Sequence, residues 1–98
     1  MGAATGGVRE GETVTVRYWA GARAAAGTAE DTLAVDGGLT LAEVVAKVLE
    51  LHPGEKMERT VAVCSVLLGD RPVRTQDPAS VVVEPGSVVE LLPPFAGG

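Results

Sequence analysis

Ninety-eight residues with 46% hydrophobic content can build one domain with a modest core, and not two. A net charge of −5 argues against a nucleic-acid binder, which would show a basic face, and no apolar run approaches the ~20 residues of a membrane span. A single cysteine, Cys64, excludes an intrachain disulfide.

The first twelve residues hold four glycines among small and polar neighbours, and read as a flexible extension over 1–12. They show no charged segment followed by an apolar one, so no signal peptide is expected and the cytoplasm is the default compartment. Residues 13–19 then alternate apolar and polar side chains, which predicts a strand. Val14, Val16 and Tyr18 share one face; Thr15, Arg17 and Trp19 share the other. Trp19 is expected either half-covered on the outer face or carried inward by a bulge. The alanine-rich stretch between Gly21 and Gly27 favours helix but has room for only a turn or so. Residues 31–35 predict a second strand, ended by Asp36-Gly37-Gly38.

Thr40 and Glu43 have the spacing of a capping box. Leu41, Val44, Val45, Val48, Leu49 and His52 follow as one apolar helical stripe, and Pro53-Gly54 stops it. Met57 and Val61 allow a second short helical turn. Residues 63–68 form the next apolar run, residues 71–73 a short edge segment, and Asp77-Pro78 a turn. After residues 81–83, Glu84-Pro85-Gly86-Ser87 fits a type II turn, with Pro second and Gly third. Residues 88–92 predict the last strand. This order predicts an α+β fold, a mixed sheet packed on one main helix with its other face uncovered. The organisation is an extension (1–12), a domain (13–92) and an extended tail (93–98).

The side chains offer no active site. His52 ends the helix stripe, where a cation is favoured, and reads as a helix-terminal residue rather than a ligand. Cys64 lies in an apolar run and reads as a small hydrophobe. Glu30-Asp31 reads as a solvated turn. No zinc spacing and no phosphate-binding glycine loop occurs. The expectation is a non-enzyme without a metal or permanently bound cofactor.

The tail, Pro93-Pro94-Phe95-Ala96-Gly97-Gly98, differs from an ordinary polar end. The prolines fix φ and disfavour helix, so it should project as an arm of roughly 20 Å. Phe95 is an apolar anchor on that arm. Gly97 and Gly98 have no Cβ and can thread a narrow channel. The reactive group is then the main-chain carboxylate of Gly98, with Gly97 giving access and Pro93, Pro94, Phe95 and Ala96 meeting the partner.

Four segments resemble one family. They are residues 14–20, residues 22–27, the Thr40-Leu41-Ala42-Glu43 helix start and the Leu91-Leu92-Pro93-Pro94-Phe95-Ala96-Gly97-Gly98 end. Over residues 13–98 the chain is similar to the ubiquitin-like sulfur carriers of the ThiS/MoaD group, most closely to the small subunits of molybdopterin synthases. The resemblance implies a β-grasp fold. It also implies an adenylating (MoeB/ThiF-like) partner that spends ATP on the Gly98 carboxylate, and a sulfur-accepting synthase large subunit (MoaE-like). It implies a C-terminal thiocarboxylate used in molybdenum cofactor biosynthesis, with carriers for thiamine, cysteine or secondary metabolites as the alternative. A ubiquitin-like protein modifier is an alternative of another class. The family often has Phe at Trp19, an acid at Ala24 and Val-Ser-Gly-Gly at the end. These departures leave partner identity open.

Overall fold

The alternation in residues 13–19 folds as β1 (Thr13–Tyr18), with Val14, Val16 and Tyr18 buried. In the computed structural model, which describes residues 12–94, the remaining elements follow in the expected order. They are α1 (Ala20–Ala26), β2 (Glu30–Ala34), β3 (Leu39–Thr40), α2 (Leu41–Leu51), α3 (Glu55–Ala62), β4 (Ser65–Leu68), β5 (Arg71–Pro72), β6 (Val82–Val83) and β7 (Val88–Leu92). A single 3-10 turn, Pro78–Ser80, is capped by the Asp77 carboxylate.

The main sheet runs β2-β1-β7-β4-β5. β1 and β7 pair in parallel at its centre; the other neighbours are antiparallel. β3 and β6 form a separate antiparallel pair. The chain leaves β2 at one side of the sheet, crosses through α2 and α3, and returns at β4 on the other side. This is the β-grasp arrangement.

α2 is the main helix, and its capping box is complete: Glu43 N–H donates to the Thr40 hydroxyl and Thr40 N–H donates to the Glu43 carboxylate. Leu41, Val44 and Val48 are its buried positions, while Val45 and Leu49 are half-buried. The core is aliphatic, and α2 meets Val14, Val16, Val89 and Leu91 of the central strands in one cluster. Gly86 has φ +90, and the Ser87 N–H donates to the Glu84 carbonyl, as a type II turn requires.

Three local expectations change. α1 is seven residues, about two turns, because Gly27 closes it in the left-handed conformation and Ala22 is buried. α3 is also a formed helix, with Met57 buried and Arg59 paired to Glu55. It continues to Ala62, so the apolar run 63–68 is divided. Val63 ends the helix 60% exposed, and only residues from Ser65 onward enter the sheet.

The sheet face opposite the core carries Thr15, Arg17, Thr32, Leu67 and Glu90, none of them buried.

Candidate functional site

β7 determines where the tail begins. It is the central strand, held on one side by β1 and on the other by β4. Leu91 is buried, Leu92 and Pro93 are half-buried, and Pro94 is exposed. Phe95, Ala96, Gly97 and Gly98 lie outside the described residues. The root of the tail is therefore fixed to a strand paired along both of its edges.

Beside that root lies a groove of about 780 Å³, lined by Trp19, Ala20, Cys64, Ser65, Val66, Leu67, Pro72, Arg74, Leu92, Pro93 and Pro94. Its walls come from the ends of β1, β4, β5 and β7. Pro93 and Pro94 are thus part of the groove. A second concavity of about 640 Å³, around Gly37, Gly38, Glu43 and Lys47, includes none of the tail-root residues.

Trp19 takes the first of the two expected positions: it stays on the outer face, 43% exposed. Its Nε1–H donates to Glu90 Oε1 at 2.8 Å, and the Arg17 guanidinium stands 5.7 Å from the ring centroid. Arg17 also pairs with Glu30 at 3.7 Å. Among the described residues, only Ala20 (φ 49) and Arg74 (φ 59) are non-glycine residues with positive φ. Both line the groove. Such conformations cost about 1–3 kcal/mol each and persist where the surroundings enforce them. At Ala20 the strain turns the chain from β1 straight into α1.

Cys64 also lines the groove, but its Sγ donates to the Thr60 carbonyl at 3.2 Å. Burial pushes the thiol up to about 11, so it is a neutral thiol near pH 7 and a poor nucleophile.

His52 caps α2 at its C-terminus and does more than face the helix dipole. Its Nε2 pairs with Asp31 Oδ2, to which the Tyr18 hydroxyl also donates at 2.8 Å. The Tyr18 and His52 rings meet edge to face at 5.6 Å. Glu30 and Asp31 are therefore not a solvated turn. They sit in β2, where alternation sends Glu30 to Arg17 on the open face and Asp31 to the Tyr18–His52 side. Burial acts to raise the Asp31 pKa, but hydrogen bonds from His52 and Tyr18 and the charge interaction with His52 outweigh it and hold the carboxyl below its ordinary 3.8. Burial, then the hydrogen bond and charge of Asp31, push the Tyr18 phenol well above its ordinary range.

The pH consequence follows by linkage. A depressed Asp31 contributes stability above pH 3.8, and that contribution is lost as pH falls through the lowered value. A raised Tyr18 contributes stability that is lost as pH climbs beyond 10. Asp31→Asn is expected to flatten the acid limb of melting temperature against pH, between about 5 and 2. An unaltered acid limb would show that the network has no part in acid stability.

No group of three or more His, Cys, Asp or Glu among the described residues could hold a metal ion. No described helix is long and apolar enough to cross a membrane.

The profile of the ThiS family matches residues 16–98. The chain belongs to the ThiS family. Gly97 and Gly98 fall inside the matched residues. At modest identity this ThiS-family chain is also a homologue of the molybdopterin synthase sulfur carrier subunit of Chlamydomonas reinhardtii. The two are 28% identical over 85 residues, which span 87% of this chain and 98% of the relative. The fold is shared with small archaeal modifier protein 1 of Haloferax volcanii (TM-score 0.70, 19% identity, 87% of this chain and 100% of that one). It is shared too with one chain of a Helicobacter pylori complex of subunits 1 and 2 of molybdopterin-converting factor (TM-score 0.61, 24% identity, 88% and 99%).

The sequence alone does not bring Arg17, Trp19 and Glu90 together. Trp19 and Glu90 are 71 positions apart, and they meet because β1 and β7 pair in parallel. The alternation that puts Arg17 and Trp19 on one face of β1 is the local signal.

Proposed function

We propose that this chain is a sulfur carrier whose reactive group is the Gly98 main-chain carboxylate. The observation that carries this reading is the placement of the tail root. The central strand ends at Leu92, and Pro93 and Pro94 leave from it along an apolar groove. An end delivered from such a base reaches a partner's active site without moving the domain. The ThiS-family match through Gly98 supports the same reading.

A carboxylate is a poor electrophile. In this reading an adenylating enzyme lets a Gly98 oxygen attack the α-phosphorus of ATP, and pyrophosphate leaves. A persulfide then attacks the acyl carbon, and AMP leaves. A second thiol cleaves the resulting S–S bond, forming a disulfide and leaving the thiocarboxylate on Gly98. The chain carries and a partner catalyses, so it is not itself an enzyme. In this reading the ATP-consuming chemistry belongs to the cytoplasm. The acceptor we favour is a molybdopterin synthase large subunit. The Chlamydomonas relative and the two-subunit Helicobacter complex support that choice. The fold shared with an archaeal modifier protein keeps lysine conjugation as a second reading.

Intact-mass measurement after incubation with the adenylating enzyme, ATP and a sulfur source tests the proposal. The expected gain is about 16 Da, sulfur for one oxygen, which marks the activated carbonyl. No gain with several activating enzymes would sink the carrier reading. Higher-mass conjugates on a denaturing gel would move it to the modifier class.

A further inference from the structure

Within the carrier reading, on which this inference rests, we propose that Arg17 and Glu90 are positioning residues that hold Trp19 as a fixed wall of the docking groove. An indole 43% exposed would ordinarily exchange rotamers in solution. Here it is restrained from several directions. Glu90 accepts its N–H at 2.8 Å, and Arg17 covers one ring face while itself anchored to Glu30. The main chain is fixed as well. Trp19 N–H donates to the Leu91 carbonyl at 3.2 Å, and Ala20 beside it is held left-handed. Leu91 is the residue from which β7 runs into the tail root.

Exposed pairs of this kind contribute little to folding stability. Their effect falls on binding, because a side chain already ordered need not be immobilised when the partner arrives. With Arg17 on one ring face, the indole presents its remaining surface to the groove, whose other residues include Leu67, Pro72, Leu92 and Pro93. The occupant that matches this lining is an apolar segment of the activating protein, entering alongside the tail it will adenylate. Glu90 acts through Trp19 in this account, and not by touching the partner.

The test uses the full chain and four variants: Glu90→Ala, Glu90→Gln, Trp19→Phe and the Glu90→Ala/Trp19→Phe double. Trp19 is the only tryptophan in the chain, so its time-resolved fluorescence anisotropy reports indole order without any partner. Glu90→Ala is expected to add a fast depolarising component. Glu90→Gln keeps an acceptor oxygen and is expected to remove that component. In ATP–pyrophosphate exchange with the ThiF-like enzyme of the same organism, Glu90→Ala is expected to raise the KM for the carrier about threefold to tenfold with kcat unchanged, the range set by ordering one side chain. In the Trp19→Phe background the same change should alter KM by less than about twofold, since the residue it acts through no longer donates. Full additivity of the two changes would show that Glu90 meets the partner directly and would overturn the proposal. Unchanged anisotropy in Glu90→Ala would overturn it too. Absence of exchange with the unaltered chain would instead count against the carrier reading, and the anisotropy alone would then decide whether the clamp exists.

Discussion

A chain lacking Gly97 and Gly98 is expected to lose sulfur transfer entirely while keeping its melting temperature. The reason is a division of labour along the sequence. Every buried hydrophobic residue described lies between Val14 and Leu91. The proposed reactive carboxylate lies beyond them in the sequence, at Gly98. Removing two residues without side chains takes nothing from that core, yet it moves the carboxylate back by two positions, about 7 Å of extended chain. A partner built to bring the carboxylate against the α-phosphate of ATP cannot tolerate that retreat, since displacements near 1 Å already cost about a hundredfold in rate. Intact mass and a thermal melt on the same preparation check both halves. Sulfur transfer by the truncated chain would remove Gly98 from the mechanism.

Leu41→Ala is expected to act in the opposite way, through the fold alone. Leu41 is 1% exposed at the first turn of α2, and its N–H donates to the Val81 carbonyl. Cutting back a buried leucine costs about 2–5 kcal/mol, the transfer energy plus a cavity that relaxes only in part. Domains of this size are stable by about 5–15 kcal/mol, so the loss is a large share of the total. Each kcal/mol corresponds to about 4–8 °C, which places the expected fall in melting temperature at roughly 8–40 °C. Below the new transition the groove is intact, and the KM for the activating partner should match the unaltered chain. Leu49→Ala, on the same apolar stripe, should cost less, because Leu49 is only half-buried. A calorimetric scan separates the two. A Leu41→Ala effect no larger than that of Leu49→Ala would mean that the α2 packing is wrongly assigned.

The contrast between Leu41 and Leu49 marks what the sequence could and could not say. Periodicity identified α2, its capping box and its apolar stripe, because these depend on neighbours three and four positions away. It could not rank positions within the stripe, since that depends on where the sheet lies. The two shorter helices were underestimated for a related reason. α1 and α3 are stabilised by each other and by buried Ala22 and Met57, and such packing leaves no local signature. At the site, Pro93 and Pro94 stand out in the sequence itself, and both line the groove. The groove wall could not be read this way, because Trp19, Leu67, Pro72 and Leu92 come from four different segments. His52 was placed correctly at the helix end, but its partner Asp31 looked like part of a polar turn. β2 begins at Glu30, one residue before the predicted strand, and this puts Asp31 and Glu30 on opposite faces.

The parallel pairing of β1 with β7 has a consequence for biogenesis. The sheet cannot close until its last strand has been made and has found its partner from the opposite end of the domain. Such non-local pairing is entropically slow compared with helix formation. A nascent or misfolded chain can display the same final residues, but not the surface formed where β1, β4, β5 and β7 converge. An activating enzyme that docks on this surface would therefore spend ATP only on chains whose folding is complete. On the proposed docking, the central strand would serve as a checkpoint as well as a support.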